Sequence, residues 1–382
     1  MKSCRAVVFA VLSVVLSASA AHAADLAFLK ELVEIPSSSE DYPQVNRAMD
    51  AMRNYLEKRG VICTVETMDD GRRILFAATQ SGKEQDFILA AHLDVVPASY
   101  EGQYAFKNEN GRLSGRGVGD DKGGSLAVAQ TLVALKDKGV SVGCIFGADE
   151  EIGGLTTTWM VEEKGYRPRK MVLVVDSGYG KICYATKGQL MVRATLKGKG
   201  GHSSAPWKCE DLITRLSAAV VKVHDIWYAR HPMPEDRWSD VLTPMVVHSE
   251  GTALNRIPSE VWVNFNLRSV RPEAKDEAIA LIREVTGGEV EVVRYSPPCG
   301  CDPSDPLVQR LKKAMEAELG KDVPLKRMLA ATDARCFVSC KVPVVNIGHE
   351  HGDSHAATEW ATASTIDAVT RYLTAFFLSE SK

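Results

Sequence analysis

Gly115-Arg116-Gly117-Val118-Gly119-Asp120-Asp121-Lys122-Gly123-Gly124 is the stretch on which the reading of this chain turns. Five glycines surround two adjacent carboxylates and a lysine, and an apolar helical run from Leu126 to Leu135 follows at once. Glycine reaches backbone angles that other residues cannot, so the loop can bend tightly enough to aim one carboxylate inward. A phosphate cradle is one alternative, but the spacing differs from a Walker loop and two aspartates would repel phosphate. An ordinary loop with a solvated Asp pair is the other. The neighbours decide the matter: a His-x-Asp upstream, a Glu-Glu and a further Asp downstream, and a histidine cluster near the end.

Upstream, residues 25–60 read as two helices around Ile35-Pro36-Ser37-Ser38-Ser39, the second from Tyr42 to Lys58. Strands are expected at Val61 to Glu66, Arg73 to Ala78 and Asp86 to Val95. Phe87-Ile88-Leu89-Ala90-Ala91 is nearly unbroken apolar sequence, as in a strand covered on both faces. His92 and Asp94 stand at its end, and residues two apart on a strand share a face. A carboxylate commonly orients a metal-binding imidazole, although a lone His-x-Asp is by default a satisfied core pair. Downstream, strand Ser141 to Gly147 runs into Asp149-Glu150-Glu151, helix Thr156 to Lys164 follows, and strand Met171 to Val175 delivers Asp176. Three consecutive acids without basic neighbours require either solvent or a cation. Strands alternating with helices, with acids at the carboxyl ends, describe an open α/β sheet whose site lies where such sheets bind ligands.

The pattern changes after residue 187. Strand Gln189 to Lys197, helix Glu210 to Tyr228, strands Met245 to Ser249 and Val261 to Val270, helix Pro272 to Val285 and strand Val290 to Tyr295 make a β-α-β-β-α-β, ferredoxin-like order. From Pro306 the α/β style resumes with helices Leu307 to Leu319 and Asp333 to Ser339, then strand Val344 to Ile347. Gly348-His349-Glu350-His351-Gly352-Asp353-Ser354-His355 and a closing helix from Ser364 to Leu378 complete it. The expected division is a leader at 1–23, a metal-binding catalytic domain from 24–187 and 297–382, and an inserted α+β unit at 188–296.

The leader is read from Lys2 and Arg5, the apolar run Ala6 to Leu16, and Ala21-His22-Ala23 before Ala24. It implies a periplasmic or secreted protein. No later run is long and apolar enough to span a bilayer. A net charge of −3 with no basic run argues against nucleic acid as a partner. Of nine cysteines, Cys63 and Cys144 fall in apolar strand-like runs, where buried free thiols are expected. No Cys-x-x-Cys occurs, so a thiolate zinc site is not expected.

His92, Asp120, Glu150-Glu151, Asp176 and the late histidines converge on one site. Imidazole with carboxylate suits zinc, cobalt or manganese. The acids exceed what one tetrahedral ion needs, whereas a carboxylate shared by two ions roughly 3.5–4 Å apart would use them all. Of Glu150 and Glu151, whose side chains diverge, one can bind metal while the other serves as general base.

In these motifs the sequence resembles the zinc amidohydrolases that include acetylornithine deacetylase, succinyl-diaminopimelate desuccinylase, aminoacylase, carboxypeptidase G and the carnosine-type dipeptidases. The resemblance covers essentially the whole chain after the leader. His92-Leu93-Asp94-Val95-Val96-Pro97 looks like the first ligand motif, with Asp94 orienting His92, and Asp120 like the carboxylate that bridges two metals. Glu150 is similar to the family's base, Glu151 and Asp176 to ligands, and His355, four residues before Glu359, to the last ligand. The resemblance implies one ion on His92, Asp120 and Asp176 and another on Asp120, Glu151 and His355. In the inserted unit, Gly201-His202-Ser203 resembles the lid motif whose histidine holds the reacting carbonyl oxygen. Asn255 and Arg268, and Arg335 in Thr332-Asp333-Ala334-Arg335, resemble substrate-binding positions.

The implied fold is a zinc-exopeptidase-like open mixed sheet flanked by helices, with a ferredoxin-like lid and dimerisation domain inserted. The implied protein is a homodimer that holds two divalent ions, most simply zinc, and hydrolyses the amide of a dipeptide beside a free carboxylate. Asp121 and Asp176 stand closer to the dipeptidase branch, where acids would meet a dipeptide's amine. The Thr332 to Arg335 loop looks more like the desuccinylases, so an N-acyl-amino-acid deacylase is the alternative substrate reading. A non-catalytic binding protein on this fold would lack the base or a ligand, and none is missing.

Overall fold

Gln85–His92, the strand that carries the apolar run, lies at the middle of a nine-stranded mixed sheet and is buried almost throughout. The computed structural model describes residues 25–249, 251 and 253–380, so the leader read at 1–23 lies outside it. In chain order the first elements are α1 (residues 25–33), α2 (Tyr42–Glu57), β1 (Ile62–Thr67), β2 (Arg73–Ala78) and β3 (Gln85–His92). Then come β4 (Lys107–Glu109), β5 (Arg112–Ser114), α3 (Lys122–Leu135), β6 (Val142–Gly147), α4 (Leu155–Glu162), β7 (Pro168–Val174) and β8 (Ile182–Thr186). The sheet order is β1-β2-β6-β3-β7, then strand Val344–Asn346, then β8. β6, β3, β7 and Val344–Asn346 are parallel, while β1, β2 and β8 pair antiparallel. Parallel central strands covered on both faces explain why their sequences are apolar without alternation.

Helix α3 is apolar on nearly all sides because it is enclosed, packing on β3 and β6 and beneath the closing helix Ala363–Ser379. It begins at Lys122, a turn earlier than the apolar run suggests. Gly123 and Gly124 therefore lie inside its first turn, where the backbone must approach its neighbours closely. A Cβ on Gly124 would sit 2.1 Å from Asp121 Oδ1 and 2.4 Å from the Val175 carbonyl oxygen. Gly117 is needed for a different reason, a φ of +89°. Lys122 is fully buried and donates to the carbonyls of Leu32 (2.9 Å) and Ile35 (2.8 Å), satisfying the frayed end of α1. Burial pulls its ammonium down to about 7.

The chain forms two compact units. The first comprises the described residues through Tyr184, Gly300–Lys326 and those from Thr332, and the second Ala185–Cys299 with Arg327–Ala331. The second unit is a four-stranded antiparallel sheet in the order Val241–Ser249, Glu260–Ser269, Gly188–Lys197, Glu289–Ser296. Leu190, Val192, Ala194, Val263, Phe265 and Leu267 alternate inward and meet Leu216, Val223 and Trp227 of helix Leu212–Arg230 and Leu281 and Ile282 of helix Ala274–Thr286. This is the ferredoxin-like arrangement. Arg327–Ala331 joins it through Met328, whose carbonyl accepts the Lys187 N–H at 3.3 Å, and through an Arg327–Asp236 ion pair.

Three expectations need adjustment. Asp333–Cys340 is a 3-10 helix rather than an α-helix. β4, β5, β8 and the paired strands His351–Gly352 and Trp360–Thr362 went unforeseen. All eight described cysteines are free, and Cys63 is half-buried rather than buried, with burial pushing its thiol up to about 12.

Gly124→Ala should destabilise the protein by about 1–3 kcal/mol, the usual cost of overpacking. Urea unfolding followed by circular dichroism reads the loss.

Candidate metal centre

Three adjacent parallel strands, β6, β3 and β7, end side by side and hand the chain to acids and a histidine. β3 ends in His92 and leads to Asp94; β6 leads to Asp149 and the short 3-10 helix Glu150–Ile152; β7 leads to Asp176. The glycine-rich loop entering α3 supplies Asp120. The turn between His351–Gly352 and Trp360–Thr362 supplies His355, whose φ of +67° is left-handed.

One donor atom each from His92, Glu150 and Asp176 lie within 4.8 Å of one another, and so do donors from Asp120, Glu151 and His355. Asp120 joins the groups: its Oδ1 is 3.1 Å from His92 Nε2 and its Oδ2 3.3 Å from His355 Nε2. Glu151 Oε2 lies 3.0 Å from His355 Nε2, while its buried Oε1 has no partner. Asp94 is the organiser. Its oxygens accept the backbone N–H of Glu150 (3.1 Å) and Glu151 (3.2 Å) and the Ser39 hydroxyl (2.7 Å). Its Oδ1 is also 3.3 Å from His92 Nδ1. Glu150 Oε1 sits 3.0 Å from Arg335 Nη1, and Arg335 also donates to the Glu150 carbonyl at 3.2 Å.

The charges follow from this crowding. Burial opposes a cationic His92, yet its hydrogen bonds to Asp120 and Asp94 raise it well above a free imidazole. Hydrogen bonds to Asp120 and Glu151 push His355 up to about 10. Burial opposes a charged Asp120, but hydrogen bonds from His355 and His92 hold it below the ordinary carboxylate range. Burial, then the nearby Asp120 charge, pushes Asp176 up to about 7. Burial raises Glu150 well above a free carboxyl against the pull of Arg335. Protons thus sit where cations are wanted. Imidazoles and carboxylates around an orphaned buried oxygen fit divalent ions, the candidate groups being His92 with Glu150 and Asp176, and Asp120 with Glu151 and His355.

His349 and His351 stand outside both groups: His349 Nε2 faces the Val118 carbonyl at 3.2 Å, and His351 Nδ1 the His349 carbonyl at 3.1 Å. Asp121 is also outside. It is 1% exposed, turned against Gly124 with Oδ1 unpartnered, so it offers no carboxylate to a substrate amine. In the second unit, His202 is exposed on the short Gly201–His202 strand paired with Arg256–Ile257. Its Nδ1 is 2.8 Å from Ser204 Oγ, and Asn255 Nδ2 is 3.4 Å from its Nε2. Arg268 is half-buried on Glu260–Ser269, opposite Gln189 and Val241. Ser39 and the Arg116–Glu359 pair were missed as supports; Arg116 inside the glycine-rich stretch was the available signal.

Residues 88–379 match the description of Peptidase family M20/M25/M40. The chain belongs to this family. It is a metal-dependent hydrolase of the metallopeptidase and amidohydrolase type. A probable succinyl-diaminopimelate desuccinylase of Staphylococcus epidermidis is 24% identical over 354 residues, covering 81% of this chain and 85% of the relative. The fold is similar to an M20 family metallo-carboxypeptidase from Sulfolobus solfataricus (TM-score 0.77, 15% identity, 93% and 98% of the two chains). It is similar also to human carnosine dipeptidase 1 (TM-score 0.69, 19% identity, 94% and 96%).

His355→Ala should lose bound metal, whereas His351→Ala should retain it, as read by elemental analysis. Because the metal-free protein keeps His355 protonated up to about pH 10, loading at pH 7 must displace protons and apparent affinity must rise with pH. Calorimetry in buffers of different ionisation enthalpy measures the release.

Proposed function

We propose that the chain is an exported dinuclear metallohydrolase that cleaves the amide bond of a dipeptide or similar substrate beside a free carboxylate. The observation that carries this reading is Asp120, whose two oxygens face His92 and His355 at 3.1 Å and 3.3 Å, as a carboxylate shared between two ions would. Zinc suits the donor set best, and cobalt or manganese suit it also. Lys2, Arg5, the apolar run and Ala21-His22-Ala23 support export to the periplasm or beyond. Among the described residues no helix is long and apolar enough to cross a membrane.

Divalent ions held by His92, Asp120, Glu151, Asp176 and His355 would supply Lewis acidity at the scissile carbonyl and to an attacking water. Glu150 takes the proton of that water and returns it to the leaving amine. Burial strengthens its hold on protons, and Arg335 at 3.0 Å fixes its orientation. Asp94 holds both the His92 ring and the backbone of Glu150 and Glu151. His202 donates to the oxyanion that develops on the carbonyl oxygen. Asn255 steadies His202, and Arg268 and Arg335 meet the polar ends of the substrate.

The peptidase family match favours a peptide, and the desuccinylase relative favours the second reading, an N-acyl amino acid. With Asp121 buried against Gly124, the case for a dipeptide amine rests on Asp176 alone. A homodimer built through the second unit is supported by its edge strand Val241–Ser249, which exposes Met245 and Val247 at 61% each, and by Ile213 and Val221 exposed on helix Leu212–Arg230. An uncovered apolar edge of this kind invites pairing with a second copy.

Glu150→Ala should lower kcat by about 10²–10⁴, the usual worth of a general acid–base, while metal content stays at the wild-type level. Assayed together, dipeptides should exceed N-succinyl and N-acetyl amino acids in kcat/KM; the reverse order gives the case to the deacylase reading.

The second test concerns His202, which acts in this proposal on the partner subunit's site. Glu150→Ala and His202→Ala proteins, each inactive, are mixed and allowed to exchange subunits. Activity should return, since one site of each mixed dimer is then complete. A monomer, or an exchanged mixture that stays dead, places His202 at work within its own chain.

A further inference from the structure

Glu359 is buried at 2% exposure behind the centre, and no role is yet assigned to it. Its Oε1 accepts three backbone N–H groups of the glycine-rich loop, from Gly117 (2.9 Å), Gly119 (3.0 Å) and Asp120 (3.3 Å). Its Oε2 accepts from Arg116 Nη1 at 2.7 Å. Arg116 is itself 1% exposed, and its Nη2 donates to the carbonyls of His355 (3.2 Å) and Pro97 (3.3 Å) and to Ser99 Oγ (3.4 Å). Gln103 braces the same corner, its side chain joining Ser99 N (2.6 Å) to the Ala356 carbonyl (2.8 Å). One ion pair therefore grips the backbone N–H of Asp120 and the backbone carbonyl of His355, residues far apart in sequence whose side chains must meet.

We propose that Glu359 and Arg116 are positioning residues that set Asp120 against His355, so that the half-site of Asp120, Glu151 and His355 depends on them; this rests on the dinuclear reading above. The chemistry is local. Glu359 gathers three donors that no strand or helix satisfies, and it fixes the loop only while its charge is balanced by a buried guanidinium. Arg116 carries that constraint to the His355 turn. His92 ends a strand and Asp176 follows one, so the sheet ladder holds them directly and only the shared Asp120 links their side to the pair. The consequence is unequal: the ion on the Asp120–Glu151–His355 side loosens first when the pair is disturbed.

The test uses the full mature protein, stripped and titrated with Zn²⁺ and with Co²⁺, comparing wild type with Glu359→Gln and Arg116→Gln. Wild type should take two ions. Each variant should bind the ion on the Asp120–Glu151–His355 side about 10–100-fold more weakly, the range for outer partners of metal ligands, with the other ion weakened clearly less and an altered Co²⁺ visible spectrum. Glu359→Asp, which keeps the charge, should recover part of the loss. A core variant such as Phe377→Leu, of similar drop in unfolding midpoint, should keep both ions and the wild-type spectrum. Two ions in wild type and two equally tight ions in both Gln variants overturn the positioning role alone. Parallel loss of both ions in the Gln variants and in Phe377→Leu overturns it too, as plain destabilisation. A single ion in wild type overturns the dinuclear reading and the proposal with it.

Discussion

Like charges brought together out of water repel, and the first unit is organised around making that arrangement stable. Asp94, Asp120, Asp149, Glu150, Glu151, Asp176, Asp333 and Glu359 gather around three strand ends, and every one is buried or half-buried. Two solutions recur. Some acids are surrounded by donors: Asp94 by two N–H groups and Ser39, Glu359 by three N–H groups and Arg116, and Asp149 by Arg72 and Thr156. Asp176 has no such cradle, and burial pushes its carboxyl up to about 7; Glu150 keeps one partner, Arg335, and burial still raises it. The acids rich in donors are the supports. The two candidate metal groups, His92 with Glu150 and Asp176 and Asp120 with Glu151 and His355, draw on acids other than these supports.

The sheet explains how such an arrangement can be rigid. His92 ends β3 and Asp176 follows β7, so ladder hydrogen bonds and core packing fix them, while Glu150 and Glu151 sit on a short 3-10 helix just past β6 whose N–H groups Asp94 holds. The exceptions are Asp120 and His355, which ride on irregular backbone. The glycine-rich loop can approach Val175 and His349 only because Gly123 and Gly124 lack side chains. That closeness leaves unpaired N–H groups at the loop, which is why a buried carboxylate from a distant turn is needed there.

Much of this was legible in the sequence. The unbroken apolar runs of β3 and β6 gave away their burial, and the alternation in Gly188–Lys197 and Glu260–Ser269 marked a sheet with one covered face. The ligand candidates could be named because metal chemistry restricts residue type and because their motifs resemble a family. What could not be read was support supplied across long sequence distances. Nothing near Glu359 announces three loop N–H groups more than two hundred residues upstream, and Ser39 looks like ordinary loop sequence. Strands as short as β4, β5 and His351–Gly352 were invisible because their pairing, not their composition, defines them. Asp121 misled for a related reason: beside Asp120 in sequence, it is buried against Gly124 and the His92 N–H.

Arg335 shows how the same constraint reaches the substrate. Resemblance places it against a substrate carboxylate, yet here its guanidinium lies between Glu150 and Asp333, at 3.0 Å and 3.5 Å. Asp333 is held in turn by the Thr157 hydroxyl at 2.8 Å, so the arginine is braced from behind. The two roles are compatible because a guanidinium presents five donors in a fixed fork. One edge can keep Glu150 aimed while another meets an incoming anion. A lysine ammonium, compact and without a fixed fork, could not orient both. In the proposed reaction the arginine would couple the position of the base to the presence of substrate, through a side chain that the acid cluster already needs for its own charge balance.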